Sequence, residues 1–278
     1  MSTVQPDERR PFLWGFVAFF LLFFAWYTVR PVREAMGIQR GAGDLPGLMI
    51  ATVVLTLITN PLLAKLAGRW PRAVLVRRIY RFLAWNLVAF HATFVFLPSF
   101  VTFGEDTTLW LGFCLYSWVS IFSVLIGSVL WSLLSEVFTP AQAKRLFGPL
   151  AAACSLGGLA GSAVAGTLAT RLDEPLHMLL LAALLLELAA QSSRRLAAYS
   201  RKDEAETSSD GSKTGAAPLQ VEGNPLTAGL RMTLASPYLQ GIGGYVLLHT
   251  IVGTWVYLIQ GTIIDALEVD HPLGALHA

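Results

Sequence analysis

The chain has 278 residues, of which 54% are hydrophobic and only 14% charged, against about a quarter charged in a soluble domain. That balance is wrong for a soluble globular protein, and the net charge of +2 carries little by itself. The basic loops are flanked by helices of membrane-spanning length, which sets aside nucleic-acid binding as their purpose.

Seven apolar stretches approach or exceed the roughly 20 residues a helix needs to cross a bilayer. They cover residues 12–29, 45–66, 79–100, 109–134, 146–168, 176–191 and 238–266. The loops between them alternate in charge. Arg9, Arg10, Lys65, Arg69, Arg72, Arg77, Arg78, Arg81, Lys144, Arg145, Arg194, Arg195, Arg201, Lys202, Lys213 and Arg231 fall on one side. Only Arg30, Arg33, Arg40 and Arg171 fall on the other. Cationic side chains resist translocation, so the rich side is expected in the cytoplasm, with the N-terminus, in a bacterial inner membrane. The expected fold is an all-α polytopic bundle of seven transmembrane helices.

Span one follows two arginines, but its apolar run is too long for a signal peptide and ends in Ala25-Trp26-Tyr27 rather than a cleavage site. Pro31 is expected to end or kink it. Arg30 and Arg33 follow on the cation-poor side. Guanidinium groups suit phosphate and carboxylate through their planar fork; equally, both can snorkel to headgroups or pair with Glu34. Asn60-Pro61 in span two reads as a kink. His91 in span three and His249 in span seven are lone histidines that either line a pathway or bond a neighbouring helix.

Glu136 closes span four, and Thr139-Pro140-Ala141-Gln142 has the form of a helix start with a capping box. Lys144 and Arg145 are expected near Glu136 as an ion-pair cluster, gate or brace. In span five, Gly157-x-x-x-Gly161 and Ser162-x-x-x-Gly166 predict close helix packing. Glu187 is the one carboxylate well inside span six. Such a group marks a functional site by default, yet it lies near Arg194, where it can reach water. Cys114 and Cys154 occupy different spans without metal-ligand spacing, so neither a metal nor a cofactor is expected.

The polar Ser- and Gly-rich run from Arg201 cannot bury a core. The chain thus divides into a cytoplasmic N-terminus (1–11), a six-helix bundle (12–196), a flexible cytoplasmic linker (197–236), a seventh helix (237–267) and a tail (268–278). Six helices, a long loop and a seventh helix is how two-halved secondary transporters begin.

Three stretches carry a resemblance. The first is Tyr27-Thr28-Val29-Arg30-Pro31-Val32-Arg33-Glu34-Ala35-Met36-Gly37. The second is Trp131-Ser132-Leu133-Leu134-Ser135-Glu136-Val137-Phe138-Thr139-Pro140 with its continuation to Gly148. The third and weakest is Ser236-Pro237-Tyr238-Leu239. Together they resemble the nucleotide (ATP/ADP) transporter family, and most closely its bacterial relatives within the major facilitator superfamily. The resemblance implies a six-plus-six helix fold with a solute pathway between the halves, so seven helices make an incomplete bundle. The loop Leu66-Ala67-Gly68-Arg69-Trp70-Pro71-Arg72 lacks the superfamily's Gly-x-x-x-Asp-Arg gate motif. The chain is therefore expected to be a fragment or a truncated or frameshifted reading of a transporter, with a dimerising half-transporter as the alternative.

The expected function is secondary transport of a small anionic solute, a nucleotide or other phosphorylated anion. Arg30, Arg33, Glu187 and His91 are the candidate binding residues. A non-transporting membrane scaffold or sensor is the other reading. An enzyme is not expected: the chain has no Gly-x-Ser-Gly, no His-Glu-x-x-His and no pair of intramembrane aspartates. Exchange against proton symport, and the oligomeric state, are left open.

Overall fold

In a computed structural model of the chain, the described residues are 5, 8–38, 45–96, 104–171, 175–209 and 234–270. Seven long helices carry them: α1 (Arg9–Ile38), α2 (Leu45–Arg69), α3 (Arg72–His91), α4 (Glu105–Val137), α5 (Pro140–Ala169), α6 (Met178–Ser209) and α7 (Pro237–Asp270). A π-helical turn, Ala92–Phe96, extends α3, and a 3-10 turn, Pro175–His177, precedes α6. No strand occurs among the described residues. Helices suit a hydrocarbon solvent because each satisfies its own backbone hydrogen bonds.

Five of the helices, α1, α2, α4, α5 and α7, are long and apolar enough to cross a membrane. The other two fall short for a local reason: Arg77, Arg78 and Arg81 lie on α3, and Glu187, Arg194 and Arg195 on α6. The protein is an all-α polytopic membrane protein.

α1 is the hub. It packs on α4, α5 and α6; α3 lies against α4 and α6, and α2 against α4. Phe19, Leu22, Tyr80, Tyr116 and Phe122 are fully buried in this core. The Tyr80 hydroxyl donates to the Ile126 carbonyl at 3.0 Å, so the polar tip of a buried ring is satisfied. Thr139 caps α5 through a capping box with Gln142, and Pro140 holds the first helical position; this start was readable because every part of it is local.

Two boundaries differ from expectation. α1 does not stop at Pro31 but continues to Ile38. Proline costs the bond to the Tyr27 carbonyl, yet beyond it Val32 is buried and Arg33 and Glu34 make side-chain bonds. Such neighbours let a spanning helix run through a proline. α6 runs to Ser209, into the segment expected as linker; Leu196 and Ala197 are buried, and Arg201, Lys202, Glu204, Ala205 and Glu206 favour helix. The rest of the expected linker, 210–233, and the tail from 271 lie outside the described residues.

Small residues act on one face of α5 only. A Cβ on Gly161 would sit 2.7 Å from the Phe24 carbonyl and 2.8 Å from the Tyr27 Cβ, and one on Gly157 would meet the Phe20 carbonyl. Backbone therefore rests on backbone between α1 and α5. Gly166 departs from the packing expectation: nothing lies within 4 Å of its Cβ position, and both Ser162 and Gly166 are exposed along an open cleft. The faces differ because Gly157 and Gly161 point at α1, while Ser162 and Gly166 lie one step round the helix.

Candidate functional site

The two ends of the bundle are chemically distinct. The basic end gathers the starts of α1, α3 and α5 and the ends of α4 and α6, and ion pairs brace it. Arg145 donates to Glu8 at 2.7 Å, with that carboxylate buried, and Arg72 donates to Glu136 at 3.2 Å. Arg195 stacks on Trp14 at 4.4 Å, and Arg78 on Trp70 at 4.3 Å. Of the residues expected to cluster, Glu136 pairs with Arg72 on α3 and Arg145 with Glu8 ahead of α1, while Lys144 is exposed. Glu8 and Arg72 were not readable as partners, because both contacts join distant parts of the chain.

At the opposite end, the last turns of α1 carry the candidate anion-binding residues. Helical spacing splits them between two faces. Arg33 turns toward α4: its Nε donates to Ser120 Oγ at 2.9 Å, one Nη donates to Glu34 at 3.1 Å, and the guanidinium lies 4.4 Å over the Tyr116 ring. With its side chain 16% exposed, Arg33 is committed. Arg30 turns outward. It sits 3.6 Å from Glu34 and 5.9 Å over Tyr27, with 46% of its side chain exposed. Of the two arginines, Arg30 is the more exposed and the more loosely held.

Glu34 joins this end to α7. Tyr257 donates its hydroxyl to Glu34, and the Tyr116 and Tyr257 hydroxyls lie 3.2 Å apart. Since Tyr257 gives its proton to the carboxylate, Tyr116 donates to Tyr257, making a relay from α4 through α7 to α1. Beside it opens a cleft of about 580 Å³, lined by Tyr27, Arg30, Glu34, Ser162, Gly166 and Tyr257 among others. One cation, one carboxylate, two phenols and a glycine-smooth wall suit an anion that also carries hydroxyls or a ring.

Glu187 and His91 lie elsewhere. Glu187 accepts from Arg81 Nε at 3.1 Å and Nη2 at 2.8 Å, linking α6 to α3. His91 is buried, its Nδ1 3.2 Å from the Leu176 carbonyl and its ring 5.0 Å from His177; it ties the end of α3 to the turn before α6. Neither lines the cleft with Arg30. His249 is exposed on α7, stacked on Tyr245. Tyr116, Ser120 and Tyr257 do not stand out in the sequence. The available signal was hydroxyl-bearing residues inside apolar spans, too common in helices to single these out. Among the described residues no group of histidines, cysteines and carboxylates could hold a metal. No family model, no curated protein and no solved structure matches the chain.

Proposed function

We propose that this chain is the substrate-facing part of a major-facilitator-type secondary transporter for small phosphorylated anions, nucleotides among them. Its basic end would face the cytoplasm of a bacterial plasma membrane, and the cleft would open on the opposite side. The observation that carries the reading is Arg30: a half-exposed guanidinium held loosely at the edge of a 580 Å³ cleft, on the side where the positive-inside rule disfavours cations. Glu34 lies beside the arginine, and an entering anion would compete with it there, coupling anion binding to the Glu34–Tyr257 bond that ties α1 to α7.

The test is binding and uptake of labelled phosphate esters by the protein in proteoliposomes. Arg30→Gln is expected to weaken binding by about 1.5–3 kcal/mol, the range for a hydrogen bond to a charged group. Arg30→Lys restores only part, lacking the bidentate fork. Arg69→Gln, at the basic end, leaves binding unchanged. Equal losses at both positions, or no loss at Arg30, overturn the proposal. A protein that binds no anion in any form but retains membrane partners would be the scaffold. For the orientation, a reporter placed after residue 212 stays cytoplasmic and one after residue 104 is exported; cytoplasmic signal at both rejects it.

A further inference from the structure

A second site lies far from the cleft, on the outer face where α3 and α6 pack together. The two helices carry matching stripes. On α3, Arg77, Arg81, Trp85 and Val88 recur at intervals of three and four; on α6, Leu180, Leu184, Glu187, Gln191 and Arg194 do the same. Residues so spaced share one helix face. Between the stripes runs a groove of about 520 Å³ whose walls include Trp85, Val88, Leu180 and Leu184, closed at one end by Arg81 and Glu187. Trp85 is 72% exposed and Leu184 57%. Lengthwise the groove is apolar for about 10 Å, from Leu180 to Glu187, and the α6 stripe continues past its closed end for about another 10 Å to Arg194, at 1.5 Å rise per residue.

Charge settles what such a groove fits. Glu187 takes Nε and Nη2 of Arg81, which fixes the guanidinium and leaves its other edge, with three of its five N–H donors, facing out. Arg194 lies within electrostatic reach of Glu187, and Arg77 stands one turn from Arg81. One paired cation, Arg81, and a second on the α6 stripe, Arg194, thus flank one carboxylate beside an apolar slot on the outer face of the bundle. We propose that this groove binds one anionic glycerophospholipid of the surrounding membrane, with an acyl chain along Trp85, Leu180 and Leu184 and the phosphate between Arg81 and Arg194. Basic pockets between helices are general acceptors of anionic headgroups, and a bidentate guanidinium is the natural phosphate ligand. Free phosphate would leave the apolar half unused.

Native mass spectrometry of the whole chain, released from vesicles of mixed phosphatidylglycerol and phosphatidylcholine, reads this directly. The protein is expected to retain one phosphatidylglycerol in preference to phosphatidylcholine. Arg81→Gln and Arg194→Gln should each cut that preference about fivefold, the factor for ~1 kcal/mol per basic side chain near the surface. Leu184→Trp fills the slot and should lower retention of both lipids. Glu187→Gln removes the competing charge, so phosphatidylglycerol retention holds or rises; a fall to the Arg81→Gln level would reduce the pair to a brace and overturn the site. Arg72→Gln, a basic-end cation outside the groove, is the control. An equal loss there would mean diffuse surface attraction, and displacement of the lipid by inorganic phosphate would mean a free-anion site. Either result overturns the proposal. Thermal unfolding of each variant separates lost lipid from lost fold.

Discussion

α5 and α7 both lie beside α1, but they are held there by different forces. α5 meets α1 across Gly157 and Gly161, where a Cβ would run into the Phe20 and Phe24 carbonyls, and across Gly158, which rests on the Tyr27 ring. α7 has none of the apolar window of its span buried, against 61% for α4, and touches the bundle through the Tyr257 relay and through Gly261, whose Cβ position lies 2.7 Å from Leu45. In lipid there is no hydrophobic drive between helices, so association rests on close packing and on polar contacts. The first seam is a fixed joint. The second is a few hydrogen bonds, and is the one that can open.

The sharpest way to break this contrast is to overfill the fixed seam. Gly157→Val drives a branched side chain into the Phe20 carbonyl and is expected to cost at least the ~1–3 kcal/mol typical of overpacking, seen as a fall in the melting temperature of the detergent-solubilised protein. An unchanged melting temperature would mean that α1 and α5 do not pack as described. Next in size, Arg33→Gln removes the bond to Ser120 and leaves Glu34 to Arg30 and Tyr257; about 1.5–3 kcal/mol of stability should go with it, whereas Arg30→Gln should unfold like the parent. Should the two melt alike, the division between a committed and an available arginine fails.

Smaller again is the loss from the movable seam. Tyr257→Phe deletes the donor to Glu34 and should cost about 0.6 kcal/mol, with ~1.7 as the ceiling for such bonds between membrane helices. The measurement is disulfide trapping between Leu45→Cys and Gly261→Cys, whose yield should drop when Tyr257 is changed and the end of α7 moves away. Constant yield would show that α7 is held by something else. At the bottom of the scale, Gly166→Ala, with open space where its Cβ would go, should leave the melting temperature where it was.

What could be read from the residues follows the range of the interaction. Apolar run length is a property of consecutive residues, so the seven helices and the capped start of α5 were legible. Their ends were not: whether Pro31 stops α1 depends on Arg33 finding Ser120, 87 positions away. Glu187 could be read as an anomaly in an apolar helix, but its partner Arg81 stands 106 positions off, and spacing along one helix holds no information about that. The i, i+4 pattern of small residues in α5 announced a packing face without saying which of two adjacent rows would use it. Arg30 and Arg33 looked equivalent in sequence. Only the direction in which α1 presents them separates the two.

Pro31 gives the upper part of α1 a dynamics of its own. Below it, the helix is clamped by the glycine seam and by the Glu8–Arg145 bridge. Above it, Arg33 and Glu34 ride on a short segment, Val32 to Ile38, whose tie to the lower part lacks one backbone bond. Swinging that segment would break the hydrogen bonds to Ser120 and Tyr257 and unpack Val32 and Gly37, the latter seated against the Tyr116 ring, while leaving the glycine seam with α5 in place. Such a movement belongs to the microsecond-to-millisecond range of local collective motions. Substitutions at Tyr257 or Ser120 therefore act on the ties of this upper segment, while those at Gly157 decide whether there is a bundle for it to be tied to.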